Sequence, residues 1–314
     1  MTNIPNIDSL DTPVLFIGFN RPETSKKVFE AIRGIRPAKL YVALDGPRPD
    51  KPGEDGLCEE VKGIFENIDW DCELKTLFRQ ENVGCKLGVV GAIDWLFENE
   101  EKGIILEDDC VPSKSFFHFC DELLDRYMHD TRVMHIAGYN HRPDYVRDPD
   151  YSYYFSYYGY MWGWATWRRA WNLYDVNLSN FEEVIKKNYL DGILPGKLAT
   201  KYYIKKVRDA YTGVNDTWDY QWDFIRMTNS GLSIVPHNNL IHNIGFGEDA
   251  THTVSSANWS MNNIASELEF PLQHPHFVLC DTKSDRVYFN QLMKWTAYRK
   301  VMGLVGVKGF STQG

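Results

Sequence analysis

The first half of the sequence alternates short, continuously apolar segments with amphipathic ones, and this alternation constrains the fold more than any other feature. The apolar run 13–19 is bounded by turn-forming residues, which is typical of a strand buried on both faces. Three more candidate strands, 40–44, 73–78 and 103–106, alternate with three candidate helices, 25–35, 57–67 and 86–98. Strands that alternate with helices predict an α/β fold, with helices on both faces of a mostly parallel sheet.

The second half is less regular. Its patterns predict strands at 133–137 and 233–235, and helices near 181–189, 197–211, 217–229 and 287–303. We find no internal repeat and no low-complexity linker. The sequence therefore favours one α/β domain over residues 1–255, with a C-terminal extension, 256–314, packed on the same domain.

Charge and cysteine usage exclude some classes of protein. The 314 residues carry a formal net charge of −9, which disfavours nucleic-acid binding because that depends on neutralising phosphates. The six cysteines lack zinc-site spacing, so we expect free thiols in a reducing compartment. The sequence shows neither a signal-peptide pattern nor an apolar run of about 18 residues. We therefore expect a soluble, cytoplasmic protein.

Polar residues follow the apolar segments at the points where the predicted strands end. Arg21, Asp45 and the run 107–109 each stand at such an end, where open parallel sheets bind ligands. An arginine suits a phosphate, and Asp45 suits a base or a ribose. The alternatives are a helix-initiating turn for Arg21 and a simple turn residue for Asp45.

The most specific local signal is the acidic run Glu107-Asp108-Asp109. Three consecutive carboxylates repel one another unless a cation or hydrogen bonds compensate them. A hard divalent cation, Mn²⁺ or Mg²⁺, would do so and would also bind diphosphate oxygens. The alternative is that Asp109 caps the helix that follows.

Residues 105–119 resemble the acidic metal motif and following helix of the N-acetylglucosaminyltransferase I type of inverting glycosyltransferase. Other segments resemble that family in the same order, over about residues 13–253: Arg21, Asp45, 135–140, 159–164, Trp218-Asp219 and 234–236. The resemblance implies the GT-A form of the α/β fold, as in a soluble bacterial relative. It also implies a nucleotide-sugar donor, UDP first, and a divalent metal.

The resemblance assigns roles to the residues at the strand ends. Asp109, aided by Asp108, would hold the metal on the donor diphosphate. Arg21 and Asp45 would hold the nucleotide, and Glu107 would contact the donor sugar. These roles are expectations that follow from the resemblance.

An inverting transfer needs a base to take the proton of the acceptor hydroxyl. Asp219 and Asp223 stand four residues apart, so they share one face of a helix. The family's base immediately follows its Trp-Asp pair, which aligns with Trp218-Asp219, and that position is Tyr220 here. We predict Asp219 as the base, with Asp223 as the alternative. Both could also be ordinary helix-surface carboxylates.

Four more residues are candidates for ligand contacts. His252 lies in the glycine-rich segment 243–253, where the family has a closing loop, and could ligate the metal or be structural. Lys86, at a predicted helix start, suits a phosphate or sugar of the donor. Trp162 and Trp164 are predicted to form the acceptor platform, with burial in the core as the alternative.

Together these patterns predict a metal-dependent inverting glycosyltransferase that acts on a glycan or lipid-linked acceptor. The alternatives are a sugar nucleotidyltransferase and a non-catalytic sugar-binding protein. The basic and apolar C-terminal helix could make peripheral membrane contact or pack on the domain, and we favour packing.

Overall fold

The structure, a computed structural model, describes residues 10–245 and 264–304, with the backbone alone at 295 and 297–304. The elements of the first half follow the predicted alternation: β1 (Val14–Gly18), α1 (Pro22–Arg33), β2 (Lys39–Leu44), α2 (Glu54–Ile64), β3 (Glu73–Phe78), α3 (Cys85–Asn99) and β4 (Lys102–Glu107).

The elements of the second half are shorter and more varied. They are β5 (Cys110–Pro112), α4 (Lys114–Arg126), β6 (Val133–Ala137), β7 (Tyr153–Ser156), β8 (Trp164–Trp167), α5 (Arg168–Trp171), α6 (Phe181–Lys186), α7 (Lys197–Tyr211), α8 (Asp219–Thr228), β9 (Leu232–Pro236), β10 (Ile241–Asn243) and α9 (Thr282–Leu304).

The central sheet has eight strands in the order β3-β2-β1-β4-β8-β6-β9-β7. Neighbours pair in parallel except around β8, which is antiparallel to β4 and β6, and at β7, which is antiparallel to β9. Strands β5 and β10 form a separate antiparallel pair. The predicted α/β fold with a mostly parallel central sheet is confirmed.

The register of the parallel strands aligns their carboxyl ends. Gly18 of β1 lies opposite Leu44 of β2, and Ile17 lies opposite Glu107 of β4. The polar residues that directly follow these strands therefore emerge along one edge of the sheet.

Alternating side chains of each strand fill two hydrophobic layers. Phe16 belongs to the layer under α1, α2 and α4, whereas its neighbour Leu15 belongs to the layer under α3, α7 and α8. Both side chains are completely buried. A strand buried on both faces reads as a continuous apolar run, which is why the sequence pattern identified β1.

The described part of the C-terminal extension packs on this domain. The Glu267 carboxylate accepts hydrogen bonds from the backbone N–H groups of Ser115 (2.8 Å) and Lys114 (3.3 Å), the first residues of α4. Asp285 of α9 accepts hydrogen bonds from Ser156 and from the backbone of Tyr157, next to β7. Within the described ranges, no helix is both long and apolar enough to span a membrane. All six cysteines are free thiols, as predicted.

Candidate active site

Arg21 links the end of β1 to the acidic run at the end of β4. It precedes α1, and Pro22 takes the first helical position, where a missing N–H has no cost. Its guanidinium forms two hydrogen bonds to Asp108, of which Nε–Oδ2 is 3.2 Å, and one from Nη1 to Asp109 Oδ2 at 3.0 Å. The predicted meeting of these strand ends is thus present in the structure.

Two of the carboxyl groups at this edge are strongly affected by burial. Burial raises the pKa of Glu107 to about 8, and the charges of Asp109 and Asp108 act in the same direction. Burial also raises the pKa of Asp108 to about 6, although the Arg21 guanidinium acts in the opposite direction. Three carboxyl groups thus share one guanidinium at this edge, and a further cation would favour their ionised forms.

Asp109 is not a helix cap, which was the alternative interpretation of the acidic run. Between it and α4 lies the short strand β5, and Ser113 occupies the position before the helix. Glu267 receives the free N–H groups of the first turn of α4. A capping role therefore does not explain the position of Asp109 at the end of the sheet.

The pairing of β5 with β10 brings the start of the 243–253 segment onto Asp109. Ile244 N–H donates to the Asp109 carbonyl oxygen (2.8 Å), and Asn243 Nδ2 donates to Asp109 Oδ1 (3.4 Å). At Gly245, an added Cβ would lie 2.1 Å from Asp109 Oδ2. The glycine therefore allows the Asp109 carboxylate to approach the backbone more closely than any side chain would permit. His252 lies outside the described residues.

Asp219 faces the acidic run from the start of α8. It is the first residue of that helix and is half-buried, and its Oδ1 accepts a hydrogen bond from the Tyr220 backbone at 2.8 Å. Its charge is among those that raise the pKa of Glu107. Burial raises the pKa of the Cys85 thiol to about 12, and the charges of both Glu107 and Asp219 add to this. Cys85, the first residue of α3, therefore lies within electrostatic range of both carboxylates.

Asp223, the alternative base, is committed to a structural ion pair. Its partner Arg226 is completely buried and also donates a hydrogen bond to Ser233 of β9. Burial raises the pKa of Asp223 to about 6, against the opposing effect of Arg226. A carboxylate held by a buried guanidinium is poorly placed to accept a proton from a substrate.

Asp45 and Lys86 both lie at the loop that leads into α3. The Asp45 carboxylate accepts hydrogen bonds from the backbone N–H groups of Val83 and Gly46, both at 3.1 Å to Oδ1. Lys86 is the second residue of α3 and is half-buried. Asp45 thus shapes the loop that carries Lys86, and the nucleotide contacts of both residues stay predictions.

The acceptor platform requires one correction. Trp164 has no exposed surface and is stacked between His135 (5.0 Å between ring centroids) and Trp218 (5.6 Å) in the core. The prediction that it contacts an acceptor was wrong, because β8 lies inside the sheet. Trp162 is only half-buried and packs edge-on against Tyr139 at 4.6 Å, so its acceptor contact stays a prediction.

The oxygen atoms at the acidic edge fit a divalent cation. Asp108 and Asp109 lie next to each other, and carboxylate oxygens are ligands that Mn²⁺ and Mg²⁺ accept. In the part of the chain that the structure describes, no group of three or more His, Cys, Asp or Glu side chains could hold a metal by itself. The remaining ligands would therefore come from the donor diphosphate and from water.

Sequence reasoning missed Asn243 and Cys85 as members of this site. Asn243 reaches Asp109 only because β10 pairs with β5, a contact between residues more than 130 positions apart. The segment around Cys85 attracted attention for Lys86, but no pattern indicated that the thiol lies near Glu107 and Asp219.

No protein-family model and no curated protein matches this sequence. Three solved structures are similar in part: the mannosyltransferase PcManGT from Pyrobaculum calidifontis in complex with GDP-Man and Mn²⁺ (12% identity, TM-score 0.32, 53% of this chain and 49% of that chain), the apo-form glycosyltransferase GlyE from Streptococcus pneumoniae TIGR4 (12%, 0.33, 71% and 44%), and a UDP-glucose pyrophosphorylase complexed with UDP-glucose (13%, 0.26, 47% and 62%). The matched regions thus span 44–62% of those chains. At these TM-scores and identities, the similarity by itself assigns neither a family nor an activity to this chain.

Proposed function

We propose that this protein is a metal-dependent, inverting glycosyltransferase that uses a nucleoside-diphosphate sugar, with UDP as the first candidate nucleotide. The observation that carries the proposal is the meeting of Arg21, Asp108 and Asp109 at the carboxyl edge of the sheet, with Asp219 facing them. Anionic ligands of open α/β sheets bind at this edge. The acceptor that we propose is a hydroxyl of a glycan or of a lipid-linked saccharide.

The donor would bind at the acidic edge. Asp109, with Asp108 beside it, would hold Mn²⁺ or Mg²⁺, which when bound neutralises charge on the departing nucleoside diphosphate. Asp45 and Lys86 lie beside this edge, at the loop before α3, where a nucleotide and its phosphates would lie. Glu107, at the end of β4, would contact the donor sugar.

The acceptor would approach from the side of α8. The oxygen of the acceptor hydroxyl forms a bond to the anomeric carbon of the donor sugar, and Asp219 accepts the proton of that hydroxyl. The bond between that carbon and the diphosphate oxygen breaks, and the nucleoside diphosphate leaves with the electron pair. Because attack and departure occur on opposite faces, the anomeric configuration is inverted. Trp162 is our candidate for contact with the acceptor sugar.

The first test is a thermal-shift screen of nucleoside diphosphates and their sugars, each with Mn²⁺ or with EDTA. A ligand of the folded state raises the melting temperature by mass action. We expect one nucleoside diphosphate and its sugars to do so with Mn²⁺, and this shift to disappear in Asp109→Asn. Release of that nucleoside diphosphate from its sugar then measures turnover, and NMR of the anomeric proton gives the stereochemistry.

The matched control is Asp191→Asn, which removes an exposed carboxylate outside the site and should keep the full ligand response. A screen in which no nucleotide changes the melting temperature would contradict the proposal. So would an Asp109→Asn protein that binds and turns over the donor as the unsubstituted protein does.

A further inference from the structure

Arg21 neutralises the acidic edge from within the protein. In the described ranges, it is the cationic side chain that forms ion pairs with the carboxylates of the run Glu107–Asp109. Its side chain is 26% exposed, whereas that of Asp108 is 4% exposed and that of Asp109 is 17% exposed. Buried carboxylates require a nearby positive charge or bound protons, so the guanidinium supports both aspartates.

The four oxygen atoms of the two aspartates already accept hydrogen bonds. Arg21 binds both oxygens of Asp108 and also Asp109 Oδ2. The other oxygen of Asp109 accepts from Asn243 Nδ2 (3.4 Å) and from the Cys110 thiol (3.3 Å). A metal ion bound at Asp109 Oδ2 would lie beside the Arg21 Nη1 group, and repulsion between the two cations would weaken the hydrogen bond from Nη1 to that oxygen.

The contacts of Arg21 with the two aspartates differ in strength. The contact with Asp108 is a bidentate pair, the geometry in which a guanidinium and a carboxylate bind best. The contact with Asp109 is a single hydrogen bond of 3.0 Å to the more exposed carboxylate. The hydrogen bond to Asp109 is thus the one that can break while Arg21 stays bound to Asp108.

We propose that Arg21 is a positioning residue that acts as the resident cation of the acidic edge. It stabilises Asp108 and Asp109 when no metal is bound, and it releases Asp109, but not Asp108, to the divalent metal that accompanies the donor. This inference rests on the proposed function. It adds that the metal and the protein's own arginine compete for the same carboxylate oxygen.

Competition makes a measurable prediction about metal affinity in the absence of donor. Removing the guanidinium should leave two carboxylates without a counter-ion, so Mn²⁺ alone should bind Arg21→Gln more tightly than it binds the unsubstituted protein. We expect the dissociation constant for Mn²⁺, measured from the EPR signal of free Mn²⁺, to fall by about tenfold or more. We also expect the melting temperature of Arg21→Gln to drop in EDTA and to recover in Mn²⁺.

Arg48→Gln is the matched control. Arg48 lies in the loop before α2, and its guanidinium also binds a buried carboxylate, that of Glu54, the first residue of α2. Its loss should lower the melting temperature without any rescue by Mn²⁺, and its Mn²⁺ affinity should equal that of the unsubstituted protein. If Arg21→Gln does not fold, Arg21→Lys provides the same test. A lysine keeps the charge but cannot bridge both carboxylates. The Arg21→Lys variant should therefore also bind Mn²⁺ more tightly than the unsubstituted protein does.

Equal Mn²⁺ affinity in the unsubstituted protein and in the Arg21 variants would overturn the inference, and so would an absence of Mn²⁺ binding to all of them. Both outcomes differ from a failure of the proposed function. If the protein turns over a nucleotide sugar while its Mn²⁺ affinity is indifferent to Arg21, the transferase proposal stands and the resident-cation inference fails. If no nucleotide sugar is bound or turned over, the proposed function fails.

Discussion

Asp219 and Asp223 are one turn apart on α8, but their surroundings give them different roles. Asp219 is half-buried at the start of the helix, and its charge acts on Glu107 of the acidic edge. Asp223 is bound to the buried Arg226, which in turn holds Ser233 of β9. Asp219 is therefore our candidate for the base, whereas Asp223 joins a helix to the sheet.

Exchanging each carboxylate for its amide should separate these roles. Asp219→Asn removes the base, and we expect turnover to fall by about a hundredfold or more while the melting temperature changes little. Asp223→Asn leaves the Arg226 guanidinium buried without its counter-ion, and we expect a loss of about 3 kcal/mol in the free energy of unfolding. Donor turnover and urea unfolding, measured on both variants, check this. Full turnover in Asp219→Asn would remove it as the base.

The sequence could place these residues on one helix but could not separate them. A spacing of four gives a shared face and says nothing about Arg226, whose contact with Ser233 depends on how α8 packs on β9. The same limit explains the error at Trp164. An aromatic side chain suits both a sugar and a core, and only the position of β8 between β4 and β6 decides for the core.

At the scale of elements, the sequence was most informative where one strand carries its own signal. The strands β1, β2 and β4 each contain a continuous apolar run because both of their faces are buried, so their ends and the acidic edge could be predicted. The pairing of β5 with β10 joins two three-residue strands from distant parts of the chain. Such short segments carry no periodicity, so Asn243 and Gly245 could not be placed beside Asp109.

Gly245 provides a test of this element-level contact. An added Cβ would lie 2.1 Å from Asp109 Oδ2, so Gly245→Ala must move either the carboxylate or the backbone that follows β10. We expect Mn²⁺-dependent binding of the donor nucleotide to weaken by about tenfold, or about 1.4 kcal/mol, with little change in global stability. Isothermal titration of the nucleoside diphosphate in Mn²⁺ measures this.

The control for Gly245 is Gly63→Ala on α2, where an added Cβ meets no atom within 4 Å. That change should leave nucleotide affinity unaltered and should stabilise the helix slightly. Unchanged affinity in Gly245→Ala would show that the close approach of the Asp109 carboxylate to Gly245 does not contribute to ligand binding.

At the scale of the whole molecule, carboxylates of the C-terminal segment contact the α/β domain at three places. Glu267 receives the N–H groups at the start of α4, and Asp281 pairs with Arg147 at 2.7 Å. Asp285 lies deeper, with only 3% of its surface exposed, and accepts hydrogen bonds from Ser156 and from the Tyr157 backbone. The sequence predicted that this segment packs on the domain, but its polar anchors depend on contacts that span more than 100 residues.

Asp285 makes the stability of this packing depend on pH. Burial raises the pKa of Asp285 to about 6, although its hydrogen bonds from Ser156, Cys280 and Tyr157 oppose this effect. Because the folded protein binds this proton more tightly than the unfolded chain does, Asp285 favours folding most below pH 4. That contribution is lost as the pH rises from about 4 to about 6.

Comparing the unsubstituted protein with Asp285→Asn isolates this contribution, since other titrating groups cancel in the difference. The amide can still accept a hydrogen bond from Ser156 or Tyr157, but it does not ionise. We expect the unsubstituted protein to lose up to about 3 kcal/mol relative to Asp285→Asn between pH 4 and pH 7. Urea unfolding of both proteins at several pH values measures the difference. A difference that stays constant with pH would mean that Asp285 has an ordinary pKa, and that water reaches the contact between α9 and β7.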